Sequence, residues 1–264
     1  MRRLATITGA AFVALVLAPL VSSGAGHAQD GSGLTITPAA PPKARTGHVP
    51  LSSAKDEANR PIRILVFGDS LTEGYGLPPD QGLVAQLQRW LDAQGADAQA
   101  INAGLTGDTS YGGRIRIKWA LRHRPDAVVV ELGANDFLMG WALPDIEKNL
   151  DVIIRQAKAG GRPVLLVGIT PPKTMQGISP DDIAAMWHRL AARHETLLLP
   201  DLYAPVWAAS GPKTGAGAAE HLQKDGLHLS AKGVEQAIAQ GLGPQVLALI
   251  AKTRAQNEKD RAGP

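Results

Sequence analysis

Residues 64–76 read ILVFGDSLTEGYG. A continuous apolar run ends at Gly68, hands Asp69 and Ser70 to a turn, and opens a helical pattern. This is the outline of a buried strand that leads straight into a helix, with one hydroxyl at the junction. Two readings of Ser70 fit. Serine is a favoured N-cap, because its side chain accepts from the unsatisfied N–H groups of a first helical turn. Serine is also a nucleophile when a base takes its proton, and a helix N-terminus then offers N–H groups to developing negative charge. Asp69 is read as fixing the turn, with no reactive role.

Working outward, the same punctuation recurs. GLVAQLQRWLDAQG (82–95) places Leu83, Leu87, Trp90 and Leu91 at helical spacing and stops at a glycine. ADAQAIN (96–102) suits a second strand, and Tyr111 to His123 a helix whose Arg and Lys residues make its apolar face imperfect. DAVVVELG (126–133) is β-branched and continuous, the pattern of a strand buried on both faces. A helix over 145–161, the strand RPVLLVGI, a helix over 181–194, the strand TLLLPD and a closing, glycine-interrupted helix over 230–252 complete the series. Five strands alternating with helices predict an α/β fold, a three-layer α/β/α sandwich on a five-stranded parallel sheet with right-handed crossovers. Sheets of this kind bind ligands at the carboxyl ends of their strands.

The chain has 264 residues, enough for one well-buried domain. Residues 1–28 have a charged start, an apolar stretch and a small-residue end, with Gly26 and Ala28 ahead of a cleavage site. The strongest apolar run, Ala10 to Leu20, is short for a bilayer span, so a signal peptide is the better reading and a retained anchor the alternative. The expected location is periplasmic or secreted. Residues 29–60, rich in Pro, Ala, Gly and Ser, read as a flexible tether, residues 61–252 as the folded domain, and residues 253–264 as a disordered tail. Without residues 1–28, Lys and Arg number 25 against 24 acids, a net charge of +1. That balance gives no reason to expect a nucleic-acid partner, and no basic cluster stands out along the chain. There is no cysteine, hence no disulfide. No cofactor is expected: HExxH is absent, and only Asp225 and His228 form a tight His/carboxylate pair.

The loops after the strands carry the chemistry. NAGLTGDTSYGG (102–113) has glycines that suit turns; functionally, Gly107 would let a backbone N–H approach a ligand without a side chain in the way. In ELGANDFLMG (131–140), Asn135 could project its carboxamide into a cleft or close an Asx-turn. Glu131, a charge at the end of a buried strand, is expected to be paired or near the sheet edge. KDGLHLSAKG (224–233) sets Asp225 three residues before His228, where an acid can fix the imidazole tautomer and stabilise the imidazolium. The other mature-region histidines read as surface or solvated, with His221 the only rival base.

Four blocks now stand in order: GDSL at 68–71, the glycine loop at 104–107, GAND at 133–136 and DGLH at 225–228. Together they resemble the GDSL, or SGNH, hydrolase family, and more closely its bacterial thioesterase, arylesterase and lysophospholipase branch. The resemblance implies Ser70 as nucleophile, His228 as general base and then acid, and Asp225 as orienting acid. It implies an oxyanion hole made by the N–H groups of Ser70 and Gly107 and the side-chain amide of Asn135. The implied activity is hydrolysis of aryl, acyl or thioester substrates, including lysophospholipids. The implied partner is a small-molecule ester, with no stable membrane insertion after signal cleavage. Two segments depart from the branch, TPPKTMQGISPDD (170–182) and APVWAASGPKTGAGAAEHLQK (204–224), and both should border the acyl pocket. Two alternatives remain: an O-acetylesterase acting on polysaccharide or peptidoglycan, and a non-catalytic binding module.

Overall fold

A computed structural model of the protein describes residues 60–170, 177–210 and 220–262. The expected signal peptide, most of the tether, and the middles of the two divergent loops (171–176 and 211–219) lie outside the described residues. Five parallel strands form one sheet: β1 (Ile62–Gly68), β2 (Ala98–Gly104), β3 (Ala127–Glu131), β4 (Val164–Val167) and β5 (Leu197–Leu199), in the order β2-β1-β3-β4-β5. The expected sheet is present, and its central strands show why their sequences are continuously apolar. In β1, Ile62, Ile64 and Val66 face one layer while Leu65 and Phe67 face the other. In β3, Ala127 and Val129 oppose Val128 and Val130 in the same way. Successive side chains leave a strand on opposite faces, so a strand covered on both sides is apolar at nearly every position, with Glu131 at the end of β3 a buried exception.

One layer comprises α2 (Leu83–Ala93), α8 (Ala231–Ala237) and α9 (Gly243–Ala262); the other comprises α3 (Ser110–Ala120), α5 (Leu143–Lys158) and α6 (Pro180–His194). Three short helices sit at strand ends: α1 (Ser70–Glu73), α4 (Ala134–Met139) and α7 (Ala204–Ser210). At four to seven residues, they are too short for periodicity to reveal. The closing helical segment is broken by a π turn over Ile238–Leu242 just before Pro244, which lacks the N–H needed to continue the α ladder.

Four sequence expectations are corrected. The tail is helical to Ala262, not disordered over 253–262: Thr253 is buried, its hydroxyl donates to the Leu249 carbonyl at 2.8 Å, and Gln256 reaches Asp260 at 2.8 Å. Ala, Arg, Gln, Glu and Lys are good helix formers, so the polar composition of this stretch marks a solvated helix end. His221 is buried, and its Nδ1 lies 3.2 Å from the Ser210 hydroxyl. His194, expected on the surface, is half-buried and pairs with Asp151 at 2.8 Å. A basic cluster does exist: residues 109–125 hold four Arg, one Lys and no acid, a local excess that the balance of the whole chain conceals.

Candidate active site

In the strand order 2-1-3-4-5 the chain leaves β1 and β3 in opposite directions, and the crevice between their carboxyl ends is the natural ligand site. Ser70 follows β1, Asn135 follows β3 and Gly107 follows β2. The cap of α1 is Asp69, whose Oδ1 accepts the Leu71 N–H at 3.1 Å. Ser70 is thus relieved of capping, and its hydroxyl meets His228 Nε2 at 2.8 Å instead. His228 Nδ1 lies 2.7 Å from Asp225 Oδ2, while Asp225 Oδ1 accepts the N–H groups of Leu227 (2.9 Å) and His228 (3.0 Å). Partial burial pushes the Asp225 carboxyl up, but the hydrogen bonds from His228 and from these two N–H groups outweigh it and hold the group below the usual carboxylate range. A carboxylate on Nδ1 leaves the Nε2 lone pair facing the hydroxyl, the tautomer a general base requires. His221, the rival base, lies beside the His228 loop, its carbonyl accepting the Ser230 N–H at 2.9 Å, but its ring faces Ser210 and it is not among the residues that line the cavity.

The His228 loop is closed by contacts with three separate segments. Leu222 and Leu229 form an antiparallel bridge, and Gln223 donates its backbone N–H to the His228 carbonyl at 2.8 Å. The Gln223 amide reaches the Tyr75 carbonyl at 2.8 Å, and the Tyr203 hydroxyl donates to the Leu227 carbonyl at 2.8 Å. The Tyr75 ring lies 4.8 Å from the imidazole.

Across the crevice, Gly107 has φ +79 and a Cβ there would meet no protein atom within 4 Å. Glycine is required for the left-handed backbone, and the space above it stays open. The loop is held from both ends. The Thr106 N–H donates to Glu73 Oε2 at 2.6 Å, and Asp108 pairs with Arg116 at 2.6 Å. Arg116 also donates to the carbonyls of Ala103 (2.8 Å) and Gly68 (2.7 Å), with its guanidinium 4.0 Å from the Phe67 ring centre. Asn135 Nδ2 donates to the Asp108 carbonyl at 2.8 Å and lies 3.4 Å from Asp69 Oδ2, so one amide proton orients the side chain and the other is weakly held. Beside it, Asp136 accepts the Ser110 N–H at 2.7 Å and the Ser110 hydroxyl, joining the starts of α3 and α4.

Several of these supports were missed by reading the sequence. Arg116 had a signal, as a charge interrupting the apolar face of its helix. Glu131 had one too, but it lies on central β3, not at an edge, and its partner is the Thr72 hydroxyl at 2.7 Å. Burial pushes Glu131 well above the ordinary range, and burial likewise pushes Asp69 up to about 7. A carboxyl raised on folding binds more protons in the native than in the unfolded state. Its contribution therefore falls as pH rises from its unfolded value toward its folded one. Urea unfolding from pH 4.5 upward should accordingly show a shallower loss of stability in Glu131→Gln, which keeps an acceptor for Thr72, than in wild type. Parallel pH profiles would exclude this effect.

A cavity of about 440 Å³ is lined by Ser70, Gly107, Asn135 and His228 together with Leu71, Phe137, Ile169 and Trp207. The rest of the wall is largely apolar, with Tyr75, Thr106, Thr170, Tyr203 and Asp225 adding polar atoms to it, as in sites that take a ligand with an apolar chain. Among the described residues, no three His, Asp or Glu side chains gather as ligands for a metal ion.

The model of the GDSL-like lipase/acylhydrolase family matches residues 66–236. Esterase TesA of Pseudomonas aeruginosa is 36% identical over 166 residues, 62% of this chain and 78% of that protein. The thioesterase 1/protease 1/lysophospholipase L1 of Escherichia coli K12 is 30% identical over 166 residues, 62% of this chain and 74% of that protein. A crystal structure of TesA superposes with a TM-score of 0.61 at 31% identity, covering 71% of this chain and 99% of that one. The chain belongs to the GDSL-like lipase/acylhydrolase family and is a serine ester hydrolase of the GDSL type.

Proposed function

We propose that the protein cleaves carboxylic esters and thioesters through a Ser70–His228–Asp225 triad, with aryl and acyl esters, including lysophospholipids, as the substrate class. The observation that carries this reading is the run of contacts from Ser70 through His228 to Asp225, 2.8 and 2.7 Å, opening on an apolar cavity. The Ser70 hydroxyl attacks the carbonyl carbon while His228 Nε2 takes its proton. Asp225 stabilises the imidazolium without being protonated itself. The tetrahedral oxyanion is received by the N–H groups of Ser70 and Gly107 and by the Asn135 amide. Protonated His228 then delivers its proton to the leaving alcohol or thiol, giving an acyl-Ser70 ester. Water, deprotonated by His228, releases the acid.

Asn135→Ala should lower kcat about 10²–10³-fold with little change in KM, because the lost donor acts on charge present only in the transition state. A change confined to KM would remove Asn135 from this role. The apolar wall of the cavity favours a hydrocarbon acyl chain over an acetyl group on a glycan. Hydrolysis of a p-nitrophenyl ester series, acyl-thioesters and acetylated xylan tests the class. The proposal expects turnover of the first two, and acetate release from the glycan alone would overturn it. For location, we infer export from the charged, apolar and small-residue order of residues 1–28. Among the described residues no helix is long and apolar enough to cross a membrane. Recovery of the processed chain in a periplasmic extract is the corresponding test, and an unprocessed chain in the cytoplasm would contradict it.

A further inference from the structure

The outer surface of α3 carries an uncompensated patch. Tyr111, Ile115 and Trp119 recur every four residues, so they form one row, and they are 48%, 66% and 64% exposed. The inner face of the same helix is spoken for by Gly113, Ile117 and Ala120, all buried. The neighbouring row is cationic: Arg114, then Lys118, then Arg122 in the 3-10 turn that follows, with Arg124 beyond it. Arg114 is engaged by Asn149 at 3.1 Å and lies over the Tyr111 ring. Lys118, Arg122 and Arg124 are exposed, and none pairs with an acid among the described residues.

The patch adjoins the cavity. Thr106 and Gly107, in the loop leading into α3, line it, and so does Leu138 of α4, which is 43% exposed beside Met139 at 60%. The Tyr111 ring lies 6.2 Å from Trp141, just past α4, so the row begins beside the helix that carries Leu138. A soluble polyanion would use the cations and leave the row of Tyr, Ile and Trp in water. A neutral bilayer would use the row and leave the cations without counter-charge. An anionic bilayer surface uses both, because aromatic and aliphatic side chains enter the acyl boundary while Lys and Arg meet lipid phosphates.

We propose that the outer face of α3 docks the protein on an anionic phospholipid surface. Docking turns the adjoining cavity rim toward the bilayer interface, where acyl substrates reside. That consequence rests on the hydrolase reading, whereas docking itself does not.

The test is co-sedimentation of the full chain with vesicles of phosphatidylglycerol and phosphatidylcholine, against phosphatidylcholine alone. Binding should require the anionic lipid and weaken with salt. The double substitution Lys118→Glu and Arg122→Glu should weaken it at least about twentyfold, roughly fivefold for each cation removed. Hydrolysis of a soluble ester should be unchanged in that variant. Ser70→Ala should bind vesicles as wild type does, so loss of activity and loss of docking are distinguishable. Brominated lipid should quench tryptophan fluorescence, with the quenching reduced in Trp119→Phe. All five tryptophans lie at or beyond Trp90, so an apolar N-terminus cannot supply this signal. Equal binding to neutral vesicles, or binding unaffected by charge reversal, would overturn the proposal. So would equal affinity for heparin, or a dimer that the double substitution dissolves.

Discussion

Ser70→Ala is expected to lower kcat about 10⁶-fold for every substrate the enzyme turns over, with a melting temperature close to that of wild type. The two halves of this result have separate causes. Among the described residues that line the cavity, Ser70 is the one whose hydroxyl is hydrogen-bonded to His228 Nε2, so its removal takes away the nucleophile this base would activate. Stability is spared because the cap of α1 belongs to Asp69. The Ser70 hydroxyl makes its hydrogen bond to a partly exposed imidazole, and alanine retains the Cβ. Had Ser70 been the cap, the same substitution would cost about 1 kcal/mol of stability and spare the rate. Circular-dichroism melts alongside ester hydrolysis separate the two.

The second large effect is expected from Asp225→Asn, about 10⁴-fold in kcat with the fold retained. The asparagine carbonyl can still accept the N–H groups of Leu227 and His228, so the loop keeps its shape. Its amide, however, points donor hydrogens at His228 Nδ1. The imidazole must then carry its proton on Nε2, where the Ser70 proton has to go. Asp225→Glu should do less harm, because a carboxylate keeps the productive tautomer at some cost in geometry. A rate for Asp225→Asn within tenfold of wild type would show that another group orients His228.

The residues proposed for the chemistry were legible because each sits where a strand pattern stops: Ser70 after β1, Gly107 after β2, Asn135 after β3. Asp225 and His228 announce themselves by lying three residues apart ahead of a helix. The sheet was legible for a related reason, since β1, β3 and β4 are apolar without alternation and parallel strands alone ask for that. The residues that hold the site were not legible. Glu73 on Thr106, Arg116 on Asp108 and Gly68, and Asp136 on Ser110 are partners across strands or loops. No local period encodes such pairs. Glu131 shows the limit most plainly. Its charge looked misplaced at the end of a buried strand, yet its partner is a neutral hydroxyl 59 residues away in sequence. The helical end of α9 was misread for the opposite reason: its residues favour a helix, but their solvated composition resembles that of a tail.

The measurement closest to the central claim is covalent: incubation of the full chain with an alkyl fluorophosphonate, followed by intact mass and peptide mapping. One adduct per chain on Ser70, rising in step with the loss of esterase activity and absent from Ser70→Ala, is the predicted result. Full activity with no adduct, or an adduct elsewhere that abolishes activity while Ser70 stays free, would contradict it.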